Sequence, residues 1–347
     1  MGLSPREPFG RFARLCRDAE SYGFDMAWIG DSQLVFKDAY IALTLAAQAT
    51  SSIQLGPGVT GAVTRHPTVI ANSLAGLAEI SSGRAVLGLG AGDSSVTPIG
   101  LAPATLAELE RTANTIRALC AGDRVEYDGH EVQLRPASFP VPVFISASQP
   151  GMLRLAGAVA DGVILLGAAD FEVTKWQLSY IEEGAHRVGR SLEDLTIDVW
   201  LAVSVNDDLD AGREQVRPYV TSQARWFHKW RSLPQNLTRF AHDFRAAAEA
   251  YDFQFHISRQ AKHNLSVSDE LVDVVSIVGS AEKCARELHN LSKLKVDRFT
   301  FINFPGGREA NLRAIGFGVV PELERLMEGE SGQLQRDRRE MDGTSAS

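Results

Sequence analysis

The feature that most limits what this chain can fold into is a regular beat: short apolar runs separated by stretches of helical periodicity. Before the run "FDMAWIG", Phe12, Leu15, Cys16 and Ala19 fall at i, i+3, i+4 and i+7, one face of a helix, and Gly23 stands where that helix should stop. "YIALTLAAQATSS" then reads as helix and "IQLGPGVTG" as strand, "HPTVIANSLAGLAEISSG" as helix and "RAVLGLG" as strand. In "ATLAELERTANTIRALCAG", Thr105 and Glu108 have capping-box spacing ahead of a stripe of Leu106, Leu109, Ala113 and Ile116. "VPVFISAS", "DGVILLG", "TIDVWLAVSV" and "DRFTFINF" read as further strands, giving seven runs that begin near residues 25, 53, 84, 141, 161, 196 and 297. These runs are continuously apolar rather than alternating, which predicts a parallel sheet buried on both faces by helices.

The expected class is therefore α/β, as a (β/α)8 TIM barrel, which needs eight strands. The missing one belongs before the first helix, where only "MGLSP" remains. The first strand is thus expected to be truncated, with a longer upstream reading frame supplying the rest. Residues 1–328 are read as one barrel domain with insertions at about 122–140 and 207–276. The first insertion contains "YDGHEV", where Asp128-Gly129 is a hairpin signal. The second reads as mostly helical and carries Trp226, Phe227 and Trp230. Residues 329–347 are charged and poor in apolar side chains, which predicts a disordered tail.

Composition removes several functional classes. With 35 basic and 43 acidic side chains the net charge is −8, so no electrostatic footprint for nucleic acid or an anionic membrane is present. No run approaches the ~18 apolar residues of a membrane span, and "MGLSPREPFG" has no basic and apolar leader pattern. Cys16, Cys120 and Cys284 lie on apolar sides of helical patterns, far apart in sequence, which suits buried thiols in a reducing cytoplasm. The histidines show no H-x-H or H-E-x-x-H spacing, and His256 and His263 stand seven apart, so no metal site is expected.

The stretch "RAVLGLGAGDSS", Arg84 to Ser95, raises the question of a ligand. A dinucleotide fingerprint needs G-x-G-x-x-G opening a helix. After Gly88 and Gly90 the third position holds Asp93; after Gly90 and Gly92 it holds Ser95, and "SSVTPIGLAP" follows as a loop. The fingerprint fails. What remains is a strand ending in a turn with exposed backbone amides, Asp93 and Ser94, at the end of the barrel where ligands bind, or simply a tight strand-to-helix turn.

Here the residues become familiar. "GPGVTGAVTRHPTVIANSLAGLAEISSGRAVLGLGAGDSS" resembles the luciferase-like monooxygenase superfamily, in the branch of 5,10-methylenetetrahydromethanopterin reductase-like proteins that use the deazaflavin coenzyme F420. "ISASQPGMLRLAGAVADGVILLG" fits the same branch, whereas the insertion at 207–276 resembles nothing familiar. The resemblance implies a cofactor over the C-terminal mouth of the barrel and a non-prolyl cis peptide at Gly58–Val59 against the ring. It also implies Asp31 and Asp93 beside the reacting centre. Ala147, Ser148 and Gln149 are implied at the phosphate end, with Gly90, Gly92 and Gly167 close by and Arg65 and His66 near the cofactor tail or substrate. Two departures stand out: Ser32 replaces a histidine that some F420 enzymes use as acid or base, and Ser4 stands where pterin-reducing members have an acid. His66 before Pro67 also suits the start of a helix, and Asp31 and Asp93 also suit turn caps.

Three functional readings follow. The first is an oxidoreductase passing hydride between F420 and an unidentified small organic substrate. The second is an FMN-dependent monooxygenase of the same superfamily, partnered by a flavin reductase. The third is a cofactor-binding barrel without catalysis. The resemblance also implies a homodimer, and the unpaired cysteines a cytoplasmic location. "RWFHKWR" reads either as a roof over the substrate, with Trp226, Phe227, His228 and Trp230, or as an amphipathic packing helix.

Overall fold

The computed structural model describes residues 1–135, 139–303 and 307–329. Its strands are β1 (Gly2–Leu3), β2 (Met26–Ile29), β3 (Gln54–Pro57), β4 (Thr60–Gly61), β5 (Leu87–Gly90), β6 (Arg124–Tyr127), β7 (His130–Gln133), β8 (Val143–Ala147), β9 (Gly162–Leu166), β10 (Thr196–Val205), β11 (Ser276–Gly279) and β12 (Arg298–Ile302). Helices follow them: α1 (Phe9–Ser21), α2 (Ala39–Ala49), α3 (Pro67–Ile80), α4 (Leu106–Cys120), α5 (Pro150–Val159), α6 (Phe171–His186), α7 (Leu209–His228), α8 (Ala241–Ala250), α9 (Asp269–Val275), α10 (Ala281–Leu291) and α11 (Arg308–Ala314).

Nine strands lie in one parallel order, β3-β2-β1-β12-β10-β9-β8-β5-β4. Because β3 and β4 belong to one run of chain, the two ends of this order meet: Gln54–Pro57 pairs with β2, and Thr60–Gly61 pairs with β5. The barrel is closed by a strand that changes partner at Gly58–Val59. The first strand, expected to be truncated, is a two-residue rung with Gly2 paired to both Trp28 and Ile302. β10 is long enough to serve three neighbours, β9, β12 and β11, in succession.

The seven runs read from sequence are all strands, the one expected from residue 84 starting at Leu87. Phe304, at the end of the last run, and the tail from residue 330 lie outside the described residues. Phe12, Leu15, Cys16 and Ala19 are buried on α1 as their spacing requires. Thr105 and Glu108 close a capping box on α4, but Leu106 is exposed and the buried stripe there begins at Leu109. In the first insertion Asp128 and Gly129 both have positive φ, 50° and 80°, the two-residue turn that matches the twist of a hairpin. The second insertion is α7 to α9, and β11 at its end went unread because a four-residue strand with two apolar side chains, Ile277 and Val278, carries too little periodicity.

Inside the barrel the strands close on Trp28. A Cβ at Gly56 or Gly88 would come within 2.9 Å of its ring, and at Gly58 within 2.5 Å of its Cβ. The indole stands edge-on to Phe144, with centroids 5.5 Å apart, and tilts against Trp200 at 6.0 Å. Its Nε1 donates to Asp198 Oδ2 at 2.8 Å, where Thr300 Oγ1 also donates at 3.1 Å. At the other end of the barrel, Arg84 donates to Ala47, Thr50, Ile53 and Ser81 carbonyls and to the Thr50 hydroxyl, fixing the ends of α2 and α3.

Two outcomes test this interior. Gly88→Ala places a Cβ 2.3 Å from the Pro57 carbonyl oxygen; backbone cannot move aside cheaply, so a loss of about 1–3 kcal/mol is expected, read from the urea midpoint at constant m. Asp198 is wholly buried, and burial raises its pKa against the opposing pull of Trp28, the Met1 ammonium, Thr300 and Arg298. A carboxyl that holds its proton more tightly folded than unfolded stabilises best below the unfolded value of 3.8 and loses that contribution as pH rises toward the folded value. Asp198→Asn should therefore gain on wild type as pH rises above the unfolded value of 3.8 in paired urea melts; a variant that loses ground with rising pH contradicts this account.

Candidate active site

A cavity of about 360 Å³ opens at the C-terminal ends of the strands. The size suits a small-molecule site. Glycine and serine dominate its strand-end wall: Gly30, Asp31 and Ser32 after β2; Gly58, Val59 and Gly61 in the split strand; Gly90 to Ser95 after β5; Ser146, Ser148 and Gln149 at β8. The second insertion supplies the opposite wall through Tyr219, Ser222, Gln223, Trp226, Trp230, His256 and Ile257.

Two carboxylates, Asp31 buried and Asp93 partly buried, each face an arginine. Asp31 accepts from Thr60 Oγ1 at 2.6 Å and from Arg65 Nε and Nη2 at 3.3 Å each. Arg65 is held in turn by Asp38 at 3.2 Å and lies over the Tyr40 ring. Asp93 pairs with Arg225 on α7 through both oxygens, Nη1 to Oδ1 at 3.2 Å and Nη2 to Oδ2. The Arg225 guanidinium also packs on Tyr251 at 4.6 Å and Phe253 at 4.9 Å. Ser32 and Ser94 share a 2.7 Å hydrogen bond, which ties the loop after β2 to the loop after β5.

Of the residues singled out from the sequence, Asp31, Gly58, Val59, Gly90, Gly92, Asp93, Ser148 and Gln149 line this cavity together. The Gly58–Val59 peptide is cis, and Gly92 has φ 100°, a conformation that favours glycine. Four others stand off the lining. Arg65 acts from behind Asp31. His66 caps α3, accepting from the Thr68 amide at 3.4 Å, with its ring against Tyr127. Ala147 is buried in the wall, and Gly167 faces the Gln177 side chain. Trp226 and Trp230 do roof the cavity, while Phe227 packs in the core beneath and His228 is exposed. Sequence reading missed Trp200, Tyr219, Ser222, Gln223 and His256; their contribution comes from long-range packing, for which local sequence gives no signal.

The lining suits a flat, phosphate-bearing cofactor. A Cβ at Gly90 would meet Val59 at 2.7 Å, so that wall is as thin as a chain can make it. At α5 the N-cap residue Gln149 forms no side-chain cap and Pro150 has no amide hydrogen, leaving the Gly151 and Met152 amides at the positive end of the helix. Among the described residues no group of three or more His, Cys, Asp or Glu side chains is placed to hold a metal ion.

Residues 1–298 match the family model of luciferase-like monooxygenases. A 5,10-methylenetetrahydromethanopterin reductase of Archaeoglobus fulgidus is 32% identical over 322 residues, covering 88% of this chain and 93% of the relative. An F420-dependent glucose-6-phosphate dehydrogenase of Nakamurella multipartita is 34% identical over 234 residues, covering 61% and 69%. The solved coenzyme F420 dependent tetrahydromethanopterin reductase of Methanopyrus kandleri aligns with a TM-score of 0.74 at 25% identity, covering 93% of this chain and 98% of that one. The FMN complex of the oxygenating constituent of a Pseudomonas putida 3,6-diketocamphane monooxygenase aligns with a TM-score of 0.64 at 17% identity, covering 93% and 98%, a likeness of fold.

The Asp93–Arg225 pair can be tested by a double-mutant cycle. Asp93→Asn leaves the buried Arg225 charge without its partner and should cost about 3 kcal/mol, and Arg225→Met, which leaves a partly buried carboxylate, should cost less. The double variant should lose clearly less than the sum of the two, by urea denaturation; additive losses would mean that the pair is not coupled.

Proposed function

The chain belongs to the luciferase-like monooxygenase family, and from that premise we propose that it is an oxidoreductase moving a hydride between coenzyme F420 and a small organic substrate held in the barrel mouth. The observation that carries this reading is the likeness along 93% of this chain to a coenzyme F420 dependent reductase, 98% of which is covered. Bound in the cavity, the deazaflavin supplies a two-electron hydride centre that does not activate oxygen as flavins do.

The chain's own residues do the positioning. Gly58, Val59, Gly90 and Gly92 give the ring a thin wall to lie against. Ser148, Gln149 and the amides that open α5 suit the phosphate end, and Ala147 and Gly167 keep the backbone there free of bulk. Arg65 fixes Asp31, and His66 sets the start of α3 beside it. Asp31 and Asp93 bring acceptor oxygens to the reacting centre, each with one side already given to an arginine. Ser4 lies in the lining where an acid would serve a pterin, so this reading does not extend to methanopterin reduction.

FMN is the second reading, supported by a fold shared with an FMN-bound monooxygenase; it would require a separate flavin reductase. In either case the protein is taken as a cytoplasmic homodimer, and among the described residues no helix is long and apolar enough to cross a membrane.

Titrating the apo protein with F420 and with FMN, followed by cofactor fluorescence, separates the two. Saturable F420 binding near about 1 μM, with FMN much weaker, is the expected result. Tight FMN binding without F420 binding would move the protein to the oxygen-using branch, and binding of neither would remove the catalytic reading.

A further inference from the structure

The second insertion lays one face of α7 across the barrel mouth. Tyr219, Ser222, Gln223 and Trp226 fall at i, i+3, i+4 and i+7, and all four line the cavity. The helix is fixed on both sides of Gln223. Arg217 donates to the Val267 carbonyl at 3.1 Å, and Arg225 pairs with Asp93 at the end of β5.

Gln223 is a polar group on this face that the proposed function does not use. It is only 6% exposed, and its carboxamide has no hydrogen-bond partner among the described residues. Yet neither of its polar atoms is sealed in the packing, so what faces them is the cavity. The other donors of the lining differ. Trp200 and Trp230 also stand in the wall, but each indole Nε1 is buried in the packing without a partner. Gln149 turns its oxygen to the Arg231 amide at 3.5 Å, and His256 Nδ1 is engaged by Tyr251 Oη at 2.6 Å.

The chemistry of a carboxamide limits what it can meet. Its oxygen accepts and its NH2 donates, side by side in one plane. A ketone or an ether answers only the donor. A carboxylate would set an oxygen against the acceptor, and among the described residues no lysine or arginine lines the cavity to hold it. An amide within a ring answers both at once, because its C=O and N–H share one edge, as when a carboxamide reads the edge of a base. Across the cavity stands the glycine wall against which the proposed function sets the cofactor ring, so the α7 face meets the substrate. A cavity of about 360 Å³ shared with that ring leaves room for one small ring more.

Resting on the hydride-transfer reading above, we propose that Gln223 selects the substrate, and that the substrate is a small monocyclic unsaturated lactam or cyclic imide with its N–H intact. An amide carbonyl is a poor hydride acceptor, so the C=C conjugated to it takes the hydride, with both its electrons, from the reduced deazaflavin, which is thereby oxidised. The C=C π pair moves through the conjugation onto the carbonyl oxygen, where the Gln223 N–H faces the developing charge. A proton from water on the neighbouring carbon completes the saturated ring and leaves hydroxide.

The test uses full-length protein loaded with oxidised F420. It is titrated with succinimide, a saturated ring of this class, and with N-methylsuccinimide, which lacks the N–H; calorimetry reads binding. Wild type should bind succinimide about ten-fold more tightly than the methylated imide, the worth of one hydrogen bond. In Gln223→Leu succinimide affinity should fall about ten-fold and the preference should vanish, while F420 affinity stays at the wild-type value and reports that the variant is folded. Equal binding of the two imides by wild type, or no binding of succinimide, would overturn the substrate class. A preference that survives in Gln223→Leu would overturn the role of Gln223. Loss of F420 affinity in Gln223→Leu at an unchanged urea midpoint would overturn the assignment to substrate, because the pyrimidine edge of the cofactor carries the same C=O and N–H. Failure of the wild type to bind F420 would instead count against the cofactor reading alone, since the two imides titrated into the apo protein still decide whether Gln223 reads the edge.

Discussion

The wall of this barrel is shaped around Trp28. An indole in a barrel interior needs space that ordinary side chains on the facing strands would take, and the chain provides it with glycine at 56, 58 and 88. One carboxylate oxygen of Asp198 then fixes the ring's polar edge. The alternating glycines of "GLGAG" therefore have different duties. Gly88 faces inward to Trp28 and the Pro57 carbonyl, Gly90 lets Val59 come close, and Gly92 takes a backbone conformation that favours glycine. A stretch that looks like a ligand loop is first a packing solution, and the thin wall that results is what a flat ligand can use. Shape comes before binding here.

The same packing joins the insertion to the barrel. Trp28, Phe144 and Trp200 belong to one buried apolar cluster with Val216, Tyr219 and Phe227 of α7 and Phe244 of α8. Polar ties run the same way: Arg225 reaches from α7 to Asp93 at the end of β5, and Arg6 after β1 donates to the His256 carbonyl. The insertion is thus continuous with the barrel core. Moving it would expose apolar surface and break the partly buried Asp93–Arg225 ion pair together, so the two walls of the cavity keep their spacing.

Much of this was legible in the sequence because the relevant signals are local. Continuous apolar strands, the α1 stripe, the Thr105–Glu108 box and the Asp128-Gly129 turn each announce themselves within a few residues, and each is where it was expected. The strand-end residues Gly90, Gly92 and Asp93 could be placed because a barrel puts its strand ends at one mouth, and Asp31 and Ser148 through the family resemblance. β1 was legible only as a gap, since two residues carry no period. Leu106 fits the stripe by spacing yet begins its helix at the surface. His256 and Arg225 were illegible for another reason: their significance lies in partners 132 residues away for Arg225 and 250 for the His256 backbone, and no periodicity encodes such a contact.

The electrostatics of the mouth follow from where those partners come from. Arg65 arrives from the loop after the split strand and Arg225 from the insertion, so the two acids are matched from different parts of the fold. Pairing leaves their carboxylates oriented but the cavity without a free cation among the described residues. In a low-dielectric pocket an ion pair attracts a charged ligand far less than a bare charge does, whereas neutral hydrogen-bonding groups in the wall gain strength from exclusion of water. The mouth is therefore built to discriminate by shape and by one or two hydrogen bonds rather than by charge. That selectivity suits transfer of a hydride to or from a neutral carbon centre, where the charge that matters appears only as the reaction proceeds.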